Sequence, residues 1–199
     1  MKKTILAALL LCALLLSGCG DDGGDSAAEP EATGTVISSG DCFKVTEETS
    51  DGVTRYSYSV TDKDGETLES ALCAEQPKVA VISPDLIGIR FTSDDHVFCR
   101  YYDLKNGIVS ESYFNAFWDD GKLVAYNDYE NGHKMVVRSI FDYGSYYYET
   151  EVDCPSWKLT VVSCEQNEQT GELTVGYVYG EDNSATGTVK LRLEGSDSR

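Results

Sequence analysis

From residue 42 onward the chain is cut into short runs rich in Val, Ile, Tyr, Phe and Thr, with polar turn clusters every 8 to 12 residues and no convincing amphipathic helix between them. Runs of that length and composition build strands, and this regular punctuation is the signature of an all-β chain. The punctuation also repeats. Tyr58 to Gly65 (YSVTDKDG) aligns with Arg100 to Gly107 (RYYDLKNG) and with Ser139 to Gly144 (SIFDYG), so that Asp62, Asp103 and Asp142 fall 41 and 39 residues apart. Lys78 to Ser83 (KVAVIS) matches Lys158 to Ser163 (KLTVVS) at an offset of 80, twice that period. A fixed period near 40 residues points to one supersecondary unit used several times.

Each unit parses into four strands joined by hairpin turns. The first full unit is expected at 78–83, 86–92, 97–103 and 108–113, and the second at 114–118, 123–128, 135–142 and 146–152. A third supplies 158–165, 172–179 and 186–193 and ends one strand short, while 43–49, 53–61 and 66–72 form a partial unit at the front. Asp64-Gly65, Asn106-Gly107, Asp120-Gly121 and Asn131-Gly132 supply the hairpin chemistry. The expected architecture is about three and a half four-stranded, blade-like repeats over 41–195, with a β-sandwich as the alternative and 196–199 as a short tail.

Phe117 to Tyr126 (FWDDGKLVAY) resembles the Asp-Gly-Lys-x-apolar-Ala-aromatic stretch of PD40 repeats, the units of TolB-type β-propellers. Ile82 to Phe91 (ISPDLIGIRF) resembles a second copy without the Gly and Lys, and the third unit departs from the motif. The resemblance implies a small propeller-like fold and a role in protein interaction, and it implies no catalytic activity.

The N-terminus carries an address. Met1-Lys2-Lys3 precedes an apolar run from Thr4 to Leu16, too short to span a bilayer comfortably and closed by small residues, as a secretory signal is. Leu16-Ser17-Gly18-Cys19 resembles the lipobox of bacterial lipoproteins. The resemblance implies cleavage between Gly18 and Cys19, a signal peptide over 1–18, and acyl chains on Cys19 that anchor the protein to the membrane outside the cytoplasm. Each buried methylene contributes about 0.8 kcal/mol, so two or three chains hold stably. Residues 19–40 are expected to be an acidic tether, since Gly20 to Gly34 contains no large apolar side chain.

Charge narrows the partners. The chain has 16 basic and 34 acidic residues, a net −18, and a field of that sign repels phosphate backbones, which sets nucleic acid aside. Cleavage would remove Lys2 and Lys3 alone and deepen the imbalance. Beyond the signal and Cys19, five cysteines remain: Cys42, Cys73, Cys99, Cys154 and Cys164. An odd number cannot all pair within one chain, and none stands at Cys-x-x-Cys spacing. Ten extended residues between Cys154 and Cys164 exceed disulfide reach.

No catalytic constellation, metal site or cofactor is expected. His96 and His133 fall in equivalent turns, and Asp94-Asp95, Asp119-Asp120 and Glu181-Asp182 read as solvated turn acids, with calcium the minority reading. Asp62-Lys63-Asp64-Gly65 begins like a calcium loop, but its twelfth position is Cys73. The aromatic crowd from Tyr101 to Tyr148 has two readings. It is core and cross-strand packing, or Trp118, Tyr146, Tyr147 and Tyr148 form a binding platform. The function expected is a non-catalytic module binding an envelope protein, with a carbohydrate or other ligand, assisted by calcium, as the alternative.

Cys19→Ser should abolish acyl labelling and release the protein from membranes in soluble form; a variant that stays membrane-bound contradicts the lipobox reading.

Overall fold

The computed structural model describes residues 34–93, 96–128, 134–142, 147–152 and 159–193. All of their regular structure is antiparallel strand, and among them no helix is long and apolar enough to cross a membrane. The strands form four sheets, each laid down in chain order. The first contains β1 (Thr35–Gly40), β2 (Phe43–Ser50), β3 (Val53–Thr61) and β4 (Thr67–Cys73). The second contains β5 (Lys78–Ser83), β6 (Leu86–Ser93) and β7 (His96–Asp103), with the short β8 (Ile108–Val109) and β9 (Tyr113–Phe114) both pairing with β7. The third contains β10 (Trp118–Asp119), β11 (Leu123–Asp128), β12 (Lys134–Ser139) and β13 (Tyr147–Glu151). The fourth contains β14 (Leu159–Asn167), β15 (Glu172–Tyr179) and β16 (Ala185–Arg192).

Two expectations need correction. Thr35–Gly40, assigned to the tether, is β1 and pairs along β2, so the front unit is a complete four-stranded sheet. Phe114, assigned to the second unit, pairs with Phe98 of the preceding sheet, and the strand expected at 114–118 is reduced to Trp118–Asp119. The chain breaks between them at Asn115, whose φ of 45° is left-handed. The described strands build four sheets, not the two of a sandwich.

A shared irregularity marks the first strand of three sheets. Register shifts between Val36 and Ser38, between Val81 and Ser83, and between Val161 and Ser163. The sequence at these places is Val-Ile-Ser, Val-Ile-Ser and Val-Val-Ser. Each is a β-bulge that adds one residue against the neighbouring strand and sharpens the local twist. Two of the repeated aspartates are equivalent as well: Asp103 ends β7 and Asp62 directly follows β3, whereas Asp142 lies three residues beyond the end of β12. Asp62 Oδ1 accepts the amides of Asp64 and Glu66, and Asp103 Oδ1 accepts those of Lys105 and Asn106, so each carboxylate closes its turn. The two-residue turn Asp51-Gly52 has both residues at positive φ (53° and 77°), the geometry that matches strand twist in a hairpin.

Three apolar clusters join consecutive sheets. Val45, Tyr58 and Val60 of the first sheet pack on Ile87, Ile89 and Tyr102 of the second. Leu86, Cys99, Tyr101 and Tyr113 of the second pack on Val124 and, just beyond β12, Ile140. Ala125, Met135 and Val137 of the third pack on Leu159, Leu173, Val175 and Leu191 of the fourth. Neighbouring residues on β6 therefore serve different cores, which explains why Leu86 to Ile89 are all buried instead of alternating.

Gly187 faces Tyr177 across β15 and β16, and a Cβ at Gly187 would run into the Tyr177 ring, which packs into the third core. Gly187→Ala should therefore cost about 1–3 kcal/mol through overpacking, read as a lowered midpoint in thermal or urea unfolding; an unchanged midpoint contradicts this packing.

Candidate functional site

A cleft of about 590 Å³ opens between the first two sheets and is lined by Tyr58, Glu69, Ala71 to Glu75, Phe91, Thr92 and Arg100. Period-two alternation puts Phe91, on β6, on the same face as Ile87 and Ile89, and on β7 places Phe98, Arg100 and Tyr102 there too. Glu69 reaches the cleft from β4, and Tyr58 from β3.

A charged network closes the inner end. Arg100 Nη1 donates to Glu69 Oε1 at 2.6 Å, and its other nitrogens donate to Ser112 Oγ. Tyr58 donates to Glu69 Oε1 at 3.0 Å and Tyr102 to Oε2 at 2.7 Å. Each phenol has one hydrogen and gives it to the carboxylate, so the 3.3 Å separation of the two hydroxyls is a consequence of sharing that acceptor. Burial alone would raise the Glu69 carboxyl; the Arg100 guanidinium and the two phenols outweigh it and hold the carboxyl below its ordinary range. Burial pushes the Tyr58 phenol up to about 12 and raises Tyr102 further, so both stay neutral donors.

A line of rings borders this network. Tyr58 and Phe91 have centroids 6.2 Å apart, Phe91 stacks on Phe98 at 5.8 Å, and Phe98 meets Phe114 edge-on at 5.5 Å. His96 continues the line at 5.0 Å from Phe114, and Arg100 lies over Phe91 at 6.0 Å. Phe91, Phe98 and Phe114 are half-buried, so rings remain open to a ligand.

Of the four residues expected either in core packing or in a platform, Trp118 and Tyr148 are described with their side chains. Trp118 and Tyr148 are half-buried and pack against the core between the third and fourth sheets. Tyr147 lies on β13, and Tyr146 falls outside the described residues, as do Gly18, Cys19, His133 and Cys154. Among the turn acids, Asp120 Oδ1 accepts the amides of Lys122 and Leu123, Asp119 Oδ2 accepts from Tyr101, and Asp182 Oδ1 accepts from Ser184. Asp94 and Asp95 lie outside the described residues.

The described cysteines Cys42, Cys73, Cys99 and Cys164 are free thiols. Burial raises Cys73, Cys99 and Cys164 above the ordinary thiol value, which keeps them protonated and weakly nucleophilic.

Sequence reasoning missed Glu69, and it used Arg100 only as a landmark. They are 31 residues apart and meet only because two sheets stack.

The depressed Glu69 carboxyl fixes an acid dependence. Its stabilisation is complete above the unfolded value near 4.5 and is lost as pH falls through the lower folded value. Glu69→Gln removes the charge partner of Arg100 and should cost about 2 kcal/mol at pH 7. That is about 4–8 °C in Tm for a domain of this size. The variant should also lose part of the acid dependence below pH 4.5; identical melting profiles from pH 7 to pH 3 would contradict the network.

No protein-family model matches the chain, and no curated protein matches it.

Proposed function

We propose that this protein is a bacterial lipoprotein, anchored outside the cytoplasm through Cys19, whose β-domain binds an envelope protein without catalysing a reaction. The observation that carries the binding role is where apolar surface is left exposed. Among the described residues seven large hydrophobics are exposed, and four of them, Val36, Ile37, Val81 and Val162, stand at the bulged first strands. Each of those strands is also the open edge of its sheet. Apolar side chains beside open main-chain edges are a surface for pairing with another chain, and folds that avoid partners cover or charge such edges.

The non-catalytic reading is supported by how the reactive groups are used. Glu69 is held ionised by three donors, which makes it a poor general acid, and burial keeps the Cys73 and Cys99 thiols protonated. We read the four sheets as blade-like units. Support comes from the shared Val-(Ile/Val)-Ser bulge and from apolar clusters that join each sheet to the next.

One observation favours a second reading, a ligand such as a sugar. The half-buried rings of Phe91, Phe98 and Phe114 run beside a cleft that ends in Arg100 and Glu69. That gives the stacking faces and charged hydrogen-bonding groups that a sugar requires.

The two readings separate in one comparison. Full-length protein in detergent should capture a specific envelope protein, and capture should fall about tenfold when Val81 or Val162 is replaced by Asp, the effect of losing about 1.4 kcal/mol. Capture unaffected by both changes, with glycan binding that disappears in Phe91→Ala, would replace the first reading by the second.

A further inference from the structure

A second cavity of about 520 Å³ lies where the second, third and fourth sheets approach one another. Arg90, Asn115, Phe117, Asn127 and the segment Leu159 to Cys164 are among its lining. Asn127 is 1% exposed, and neither its amide nitrogen nor its amide oxygen has a hydrogen-bond partner. Leu123, Ala125 and Asn127 share one face of β11, and the first two pack in the third core, so a polar group occupies a position where the fold wants an apolar one. A buried amide left without partners costs about 1–3 kcal/mol, and such a group calls for something that pairs with it. Whichever way the amide is turned, it offers one kind of donor and one acceptor side by side. The complement of that pair is another amide, and a peptide main chain supplies amides in series.

Two further features of the same cavity fit an extended peptide. Its wall from Leu159 to Cys164 is the open edge of the fourth sheet: β14 pairs with β15 on one side, and among the described residues no backbone hydrogen bond reaches Leu159–Cys164 from the other. A strand added there would pair with main-chain groups that have no backbone partner on that side among the described residues. Arg90 adds a charge. Its Nη2 donates to the Ala116 carbonyl at 2.9 Å, and it belongs to none of the ion pairs among the described residues. Arg90 can pair with one carboxylate, while the field of a chain of net −18 turns away a peptide that carries many.

We propose that this cavity binds an extended peptide segment of low net charge, with the main chain paired to the edge of β14 and to the Asn127 amide, and a single carboxylate of the peptide directed to Arg90. The proposal rests on the protein-binding reading above and assigns it a site and a partner chemistry.

The test uses the full chain in detergent, panned against random heptapeptides displayed on phage. Peptides with a single Asp or Glu among uncharged residues should be enriched, and recovery should fall about tenfold with Asn127→Leu and with Arg90→Gln, the effect of losing about 1.4 kcal/mol of binding. Asn127→Leu should melt at or above the temperature of the unaltered chain, because it removes an unpaired buried amide. A lower melting temperature would show that the amide is already satisfied within the fold, by water for example, and would overturn the site. Enrichment that both variants retain would also overturn it while leaving the binding role intact. No enrichment at all would overturn both.

Discussion

Alternation along the strands of the two inner sheets is the constraint on which the rest of the architecture depends. On β6, Ile87 and Ile89 point to the first core and Leu86 to the second, and on β7 Tyr102 and Tyr101 divide in the same way. A one-residue slip in either strand would exchange the two sets and disrupt two interfaces together. The outer sheets have no such double duty. The first exposes Lys44, Glu48, Arg55 and Ser70 on its strands, and the fourth exposes Thr186, Thr188, Lys190 and Arg192. The first sheet also exposes Val36, Ile37, Val53 and Leu72, and the fourth Val162, so neither outer sheet is wholly polar where it is exposed. Among the described residues, no apolar cluster joins the first sheet to the fourth.

That arrangement also accounts for where polar groups are tolerated inside. Glu69 and Arg100 enter the first interface as a pair, with Tyr58, Tyr102 and Ser112 completing the hydrogen bonds, so neither charge is left alone in a region of low polarity. Asn127 enters the third interface with no partner. The contrast between a satisfied network and an unsatisfied amide in the same molecule separates a structural polar group from one that has a use elsewhere.

Much of the strand plan was legible because turn chemistry is local. Asp64-Gly65, Asn106-Gly107 and Asp120-Gly121 each sit at a hairpin, with the glycines at φ between 64° and 88°. Strand β1 was hidden by its surroundings: Val36-Ile37-Ser38 repeats the motif at 81–83 and 161–163 but follows an acidic, low-complexity stretch that reads as tether. Phe114 was given to the wrong sheet because the boundary between units was drawn between Tyr113 and Phe114, whereas the chain turns one residue later at Asn115, with no glycine to mark the place. The ring line from Tyr58 through Phe91 and Phe98 to Phe114 joins four strands of two sheets, which no period along one strand can reveal. Asn127 carried one local sign, a polar residue in register with Leu123 and Ala125, but its lack of partners is a property of the packed interface.

The first strands β1, β5 and β14 each lie at the edge of their sheet, with one side open among the described residues. Residue-resolved hydrogen exchange on the full chain tests this directly. Strands paired on both sides, β6, β7 and β12, should show continuous protection along their cores, whereas β5 and β14 should alternate between slow and fast amides as they face the neighbouring strand or solvent. Continuous protection along β5 and β14 would mean that those edges are already paired, and would contradict both the open-edge architecture and the binding surface built on it.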